Sequence, residues 1–422
     1  MTLPSPPASS DVAASVYQAY QASAQLAQTR PADRSQLLHQ MADAMEAAFD
    51  DILDANTLDL EACQDQELSP LICRWVKLTP FRLERTRDIL RKLGDRTDPI
   101  QQVMRASFQQ EHSQTYSQLM PLGVIAFIHE ALPELGAIAA GLCLRAGNSI
   151  ILHGTPEARH SNHAITQALL QALEDSDAPR GALTCIDGRW PESVQELVTQ
   201  DMWVDMVIPY GRPSLVQEVA RQATAPVLRT SMGNCYLYWA SSGSQEMVRS
   251  IVFDSHASEP DAVNAIEKVL ICRDVNRNSI DLLCDSLREK GFRLRADESL
   301  REELPDLEPT QESDWSRSFL DKTVALKRVS GMEEAINWIN HHSSGHADSI
   351  VTESYTESRI FSTGLRSALV HINASPRFSR NPRESSDVVL GMTNQKGYRR
   401  GRIGLENLTT IKQVVLGLDR DR

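Results

Sequence analysis

Four short apolar segments recur over residues 122–211, reading GVIAFI, SIILHG, ALTCID and DMVIPYG. The stretches between them, about Leu135 to Arg145, Ser161 to Leu173 and Ser193 to Thr199, carry apolar residues at helical spacing. A strand that lies parallel to its predecessor needs a crossover, usually a helix. Strands this uniformly apolar are buried on both faces. The alternation therefore predicts a doubly wound parallel sheet, an α/β fold whose ligand crevice lies at the carboxyl ends of its strands. Gly147, Gly154 and Gly211 stand at strand ends. Such glycines are usually plain turns, and they also let a phosphate approach backbone N–H groups. Neither GxGxxG nor GxxxxGK[ST] occurs.

A second α/β block follows, built from APVLRT, CYLYWA, a helix near Gln245 to Phe253, KVLICR, TVALKRV, the helix MEEAINWINHH and DSIVT. The acidic run Asp297 to Asp314 between them reads as a solvated loop. Before the first sheet, residues 11–96 hold two or three helices, with Leu37, Leu38, Met41, Met45 and Phe49 on one face and Asp11 as an N-cap. The segment 102–120 resembles an exposed hairpin. A length of 422 residues exceeds what one core supports, so an internal boundary is expected. The net charge of −13 repels phosphate, which argues against nucleic-acid and anionic-membrane partners. No apolar run approaches the ~20 residues of a membrane span. The N-terminus MTLPSPPASS reads as a floppy tail without a secretory signal, so a cytoplasmic location is expected. Seven cysteines, an odd number with no C-x-x-C, fit reduced, mostly buried thiols.

Six segments in this order resemble γ-glutamyl phosphate reductase, also called glutamate-5-semialdehyde dehydrogenase, of the aldehyde dehydrogenase superfamily. They are MPLGVIAFIHEALPE, GLCLRAGNSIILHGTPE, VDMVIPYG, HHSSGHADSI, VHINASPRF and QKGYRRGRIGLENLTTIK. The resemblance spans most of the chain, from LTPFRL at 78–83 to LTTIK at 408–412. It implies an aldehyde dehydrogenase-like fold with a Rossmann-like cofactor domain, an α/β catalytic domain and a small oligomerisation hairpin. The expected boundaries are 1–101 for the N-terminal helices, 102–120 for the hairpin, 121–225 for the cofactor domain and 226–365 for the catalytic domain. Residues 366–422 are expected to return to the cofactor domain and end in oligomerisation strands. NADPH, an acyl-phosphate substrate, homo-oligomers and a role in proline biosynthesis are implied in the same way.

That family reduces an acyl phosphate through a cysteine thioester that accepts hydride. Its cysteine stands in Pro-x-x-Cys-Asn, and the matching segment here is Pro260-Asp261-Ala262-Val263-Asn264. Valine has no lone pair and forms no thioester. Other positions depart from the family as well. Its Arg-Pro-Asn, whose Asn serves the oxyanion, reads Leu132-Pro133-Glu134, placing a carboxylate where negative charge develops. Its Arg-Gly-Gly-Lys reads His153-Gly154-Thr155-Pro156, and its Arg-Gly-Gly reads Tyr210-Gly211-Arg212. Thr-Gly-Gly reads Arg229-Thr230-Ser231, the acidic residue that holds the nicotinamide ribose is Ser318, and Gly-Leu-Gly-Ala-Glu reads Ser385-Ser386-Asp387-Val388-Val389. Framework positions Gly123, Gly147, Asn148, Asn373, Ala374, Gly404, Leu405 and Glu406 match. The resemblance therefore implies a reductase that is impaired at the nucleophile, or a non-catalytic paralogue with a regulatory, binding or scaffold role and a protein partner.

The cofactor-side candidates are His153, Gly154, Glu157 and Gly211, and the remaining site candidates are Asn264 and Arg400. Cys235 is the alternative thiol, read as a core residue. His256 and Asp254 form a candidate acid–base pair, with a surface histidine the simpler reading. His342 and His346 stand at i, i+4, but the Ser-Gly between them argues against one helix and against a metal pair. Arg399, Arg400 and Arg402 form the densest basic patch, suited to an oligomer contact or a substrate anion.

Overall fold

The computed structural model describes residues 10–417 apart from 101, 111–112, 188, 258–259, 382, 384–386 and 398–399, and leaves out the side chains of 105–110 and 114. The tail 1–9, Ser385, Ser386 and Arg399 therefore lie outside the described residues. The chain forms two compact units. Unit 1 holds 1–229, 380–390 and 403–422, and unit 2 holds 230–379 and 391–402.

Unit 1 opens with five helices rather than two or three: α1 (Asp11–Leu26), α2 (Pro31–Ala47), α3 (Phe49–Asp65), α4 (Pro70–Val76) and α5 (Pro80–Asp95). Prolines at the first turns of α2, α4 and α5 start helices where an N–H is not needed. Ser10, not Asp11, caps α1, its hydroxyl accepting from Ala13 N at 3.1 Å. Asp11 instead sits in the first turn, where its charge suits the helix dipole. The hairpin appears as β1 (Val103–Gln110) and β2 (Ser113–Pro121), antiparallel, with the last strand Thr409–Gly417 on the far side of β2.

The predicted alternation follows as β3 (Val124–His129), α6 (Glu134–Arg145), β4 (Ser149–Gly154), α7 (Arg159–Glu174), β5 (Leu183–Cys185), α8 (Glu192–Val198), β6 (Met206–Tyr210) and α9 (Pro213–Gln222). The sheet is parallel with order β5-β4-β3-β6, so its order reverses between β3 and β6. Val124, Ala126 and Ile128 of β3 pack with Val12, Val16 and Ala19 of α1 on one face. α6 is buried along its length and lies so close to α5 that a Cβ on Gly141 would stand 2.6 Å from Leu90. Asn148 ties this frame together, accepting from Gly123 N at 2.9 Å and donating to Leu408 O at 2.8 Å.

Unit 2 contains β7 (Cys235–Trp239), α10 (Gln245–Ser255), β8 (Ile266–Cys272), α11 (Arg277–Glu289), β9 (Arg293–Ala296), α12 (Glu298–Glu303), β10 (Glu308–Pro309), β11 (Thr323–Val329), α13 (Met332–His342), β12 (Ala347–Val351), α14 (Tyr355–Gly364) and β13 (Leu369–Ile372). Its sheet is parallel, ordered β10-β9-β11-β8-β7-β12-β13. Helix α11 buries Ile280, Leu283, Cys284 and Leu287, the i, i+3, i+4, i+7 stripe of a half-buried helix. Asn276 caps it by accepting from Ser279 N at 2.9 Å.

Three further expectations change. APVLRT is not a strand of unit 2; Val227 makes a single parallel bridge to Val207 of unit 1. The run 297–314 is not a plain loop. Leu300 and Leu307 reach the core, as does Trp315 just after the run, while Asp314 is matched by Arg295 at 2.9 Å and Arg317 at 2.6 Å. The return to unit 1 begins at 380 rather than 366, because β13 pairs with β12 inside the sheet of unit 2.

Candidate functional site

In unit 1 the candidate residues gather at the carboxyl ends of β3, β4 and β6. The turn from β3 to α6 is tight: Ala131 has φ +46°, left-handed for a residue with a Cβ. Glu130, at this turn, accepts from Arg212 N at 2.7 Å and from Arg212 Nε at 2.8 Å. This ion pair bridges the two strands between which the sheet order reverses. Gly211, with φ +153°, is needed because a Cβ there would stand 2.6 Å from the Cβ of Glu130. Gly154 has no room for a side chain either, with Asn162 Nδ2 2.1 Å and His129 Cε1 3.2 Å from where its Cβ would be.

His153 does not present a charge to a ligand. Its ring is buried, shares Nε2 with Ser193 Oγ at 2.7 Å and meets Trp190 edge-on at 5.3 Å. Burial holds its pKa below the ordinary histidine range, which keeps it neutral. Glu157 lies on the short turn Pro156–Ala158 after β4, and its Oε2 is enclosed without a hydrogen-bond partner among the described residues.

Glu134 also differs from its expected role. It is buried in the first turn of α6 and is bound by Arg82 of α5, with Nε 2.9 Å and NH2 2.6 Å from Oε1. Its charge is matched within unit 1 and does not point out as a lone repulsive carboxylate. Nothing in the sequence signalled Arg82, which is 52 residues away.

Unit 2 places position 263 at the N-terminal approach to β8. Val263 is fully buried, its carbonyl accepting from Gly233 N at 2.8 Å and lying 3.0 Å from His346 Nε2. Asn264 is buried and donates from Nδ2 to Pro376 O at 2.7 Å, a positioning contact. Cys235 is also fully buried, with Sγ 3.4 Å from His346 Nε2. Burial, reinforced by Asp348 and Glu267, raises the Cys235 pKa far above the ordinary thiol value, while burial lowers that of His346 to about 4. The pair is a neutral thiol beside a neutral imidazole, as expected of a core cysteine.

Beside it, Glu267 accepts from Asn234 N at 2.9 Å and from Phe319 N and Leu320 N at 2.8 Å. Lys268, wholly buried, lies 3.0 Å from Glu267 and 3.8 Å over the Phe319 ring, so its charge has a carboxylate and a π face. Ser318 donates to Met232 O at 2.7 Å. Ser318 stands out in the sequence, whereas the Lys268 knot does not, because its parts lie on separate elements.

His256 and Asp254 do not pair. His256 is packed edge-on against Phe292 and bonds Ile266 O at 2.9 Å, while Asp254 meets Arg377 at 3.3 Å. His342 ends α13, and His346 precedes β12. Arg400 is exposed, and its guanidinium donates to Arg366 O and to Asn394 Oδ1.

The sequence pattern of the aldehyde dehydrogenase family matches residues 6–285. The chain is 48% identical to "Gamma-glutamyl phosphate reductase 2" of Synechocystis, covering 92% of this chain and 93% of that one. It is 36% identical to a γ-glutamyl phosphate reductase of Gloeobacter violaceus, covering 93% of each. The crystal structure of γ-glutamyl phosphate reductase from Thermotoga maritima superposes with a TM-score of 0.90 at 28% identity, covering 98% of this chain and 100% of that one. The chain belongs to the aldehyde dehydrogenase family, among the γ-glutamyl phosphate reductases.

Proposed function

We propose that this chain has given up the cysteine-dependent reduction of its relatives and serves as a non-catalytic binding member of the family. The observation that carries this reading is Val263. The backbone around it is held by Gly233, His346 and Asn264, yet the side chain is a buried isopropyl group. No thioester forms there, and Cys235 offers no thiolate near pH 7.

The family typically binds NAD(P), and unit 1 has features that suit a dinucleotide. Gly154, Glu157 and Gly211 stand at the carboxyl edge of the sheet, where α/β folds bind nucleotides. A reduced nicotinamide supplies hydride when bound. This chain's residues would hold and orient it without an acyl-enzyme to receive that hydride.

The test is phosphate-dependent oxidation of glutamate 5-semialdehyde with NAD⁺ or NADP⁺ by purified full-length protein. Background rates are expected, and clear turnover refutes the proposal. A second reading, NADPH-dependent reduction of L-glutamate 5-phosphate in proline biosynthesis, is favoured by the names of the relatives. The same assay decides between them. We also propose a homo-oligomer, because the three-stranded sheet of unit 1 exposes Val103, Met104, Ile411, Val415 and Leu416. The acidic net charge supports a chain that binds neither nucleic acid nor anionic lipid, and no helix among the described residues is long and apolar enough to cross a membrane. A cytoplasmic site of action and a protein partner belong to the same proposal.

A further inference from the structure

We infer that Cys63 and Cys73 form a redox modification site, a dithiol that closes into a disulfide on reaction with a small anionic disulfide of the oxidised glutathione type. The inference rests neither on the dinucleotide reading nor on the loss of the nucleophile.

The corner between α3 and α4 brings the two thiols together. Glu67 has φ +50°, left-handed for a residue with a Cβ. Its N–H donates to Gln64 O at 3.2 Å, and Leu68 N donates to Cys63 O at 3.1 Å, the two bonds that turn a chain sharply out of a helix end. Ser69 and Pro70 start α4 at once, with the Ser69 hydroxyl accepting from Ile72 N at 3.4 Å. Cys73 then faces back, and its Sγ donates to Leu68 O at 3.7 Å. Leu68 is thus bound through its N–H to Cys63 and through its carbonyl to Cys73. The two thiols are near enough to interact through a side-chain hydrogen bond.

The thiols are unequal. Cys63 is 2% exposed, and burial, followed by Cys73, pushes its pKa up to about 12. Near pH 7 it stays protonated and out of reach of outside reagents. Cys73 is half-buried and precedes the exposed Arg74, whose charge suits an anionic disulfide. The Cys73 thiolate therefore attacks first, breaking the S–S bond of oxidised glutathione and releasing one glutathione, which takes up a proton. Cys63, giving up its proton, then attacks the Cys73 sulfur and releases the second glutathione. The two protein thiols lose two electrons and two protons, and the small disulfide gains them.

A bond here acts beyond the corner. Ile52, Asn56, Asp59 and Cys63 form the buried stripe of α3. Asn56 Nδ2 donates to Val76 O of α4 at 2.8 Å and to Ser161 Oγ at 2.9 Å. Asp59 accepts from His160 N at 3.0 Å and from Ser161 N at 2.8 Å, at the start of α7. The disulfide clamps α4 to the stripe that holds the first turn of α7.

The experiment treats the full-length protein with oxidised glutathione at pH 8, blocks the remaining thiols with iodoacetamide in denaturant and maps the peptides by mass spectrometry. Most chains are expected to carry a Cys63–Cys73 cross-link that dithiothreitol reverses. Cys63→Ala, with its fold checked by circular dichroism, should stop at a stable glutathione adduct on Cys73, whereas Cys73→Ala should leave Cys63 free. In the oxidised protein, backbone hydrogen exchange at residues 159–161 should slow severalfold. A Cys63 that is still alkylated after oxidation, or a glutathione adduct that persists on Cys73 of the unaltered protein, overturns the inference without any variant. A disulfide that closes but leaves exchange at 159–161 unaltered overturns the link to α7.

Discussion

Replacing Arg82 by Met should reveal what the chain has done with Glu134. Both side chains are almost fully buried, and Arg82 reaches both carboxylate oxygens, the nearest pair at 2.5 Å, as well as Trp75 O at 3.0 Å. Methionine fills much of the volume but donates nothing. Glu134 is then left as an uncompensated charge in the interior, and removing one partner of a buried pair costs about 3–5 kcal/mol. That is a large fraction of the roughly 5–15 kcal/mol that stabilises a typical domain. The double variant Arg82→Met/Glu134→Gln removes the stranded charge and should recover at least half of the loss. Urea denaturation at pH 7.5, followed by circular dichroism, gives both values from the shift in midpoint at constant slope. A loss under about 1 kcal/mol for Arg82→Met, or a double variant no better than the single one, would refute a buried, mutually dependent pair.

Four further outcomes are expected. On the proposed non-catalytic reading, Val263→Cys alone should leave phosphate-dependent semialdehyde oxidation at background, since the resemblance implies further departures at Glu134 and Ser318; robust turnover would show that the valine was the single missing part. In thiol labelling of the native protein, the exposed Cys185 should react first and the partly exposed Cys73 next, while Cys63, Cys143, Cys235, Cys272 and Cys284 wait for denaturant. Early modification of Cys235 would contradict its burial. Burial lifts the Asp348 carboxyl to about 6 from an ordinary 3.8, so the folded state holds this proton more tightly than the unfolded chain. The stability it contributes is full below about pH 4 and falls by about 3 kcal/mol as pH rises through 6; Asp348→Asn, compared with the parent by denaturation at pH 4 and 7, should lack that decline. Asn276→Ala should cost about 1 kcal/mol by uncapping α11, and no change would mean that the cap contributes nothing.

The doubly wound sheet was legible because strands buried on both faces must be apolar throughout, as GVIAFI and SIILHG are. The family was legible because six segments kept their order. Val263 was equally plain as a residue, since a valine at one position is read directly from the sequence. Helix counts in the first hundred residues were harder to read, because α3 follows α2 after the single residue Ala48. The fate of charged side chains was not legible at all. Whether Glu134 repels an anion or satisfies Arg82, and whether His153 is a cation or a neutral ring against Trp190, depends on partners 37 to 52 residues away. The acidic run at 297–314 shows the same limit, because the spacing of Leu300, Leu307 and the following Trp315 is too irregular to mark a packed segment. Sequence alone determined which groups this chain possesses, including that position 263 carries no thiol. Only the tertiary structure decided which of those groups remain available, because burial and pairing set both the charge of a side chain and what is left for it to bind.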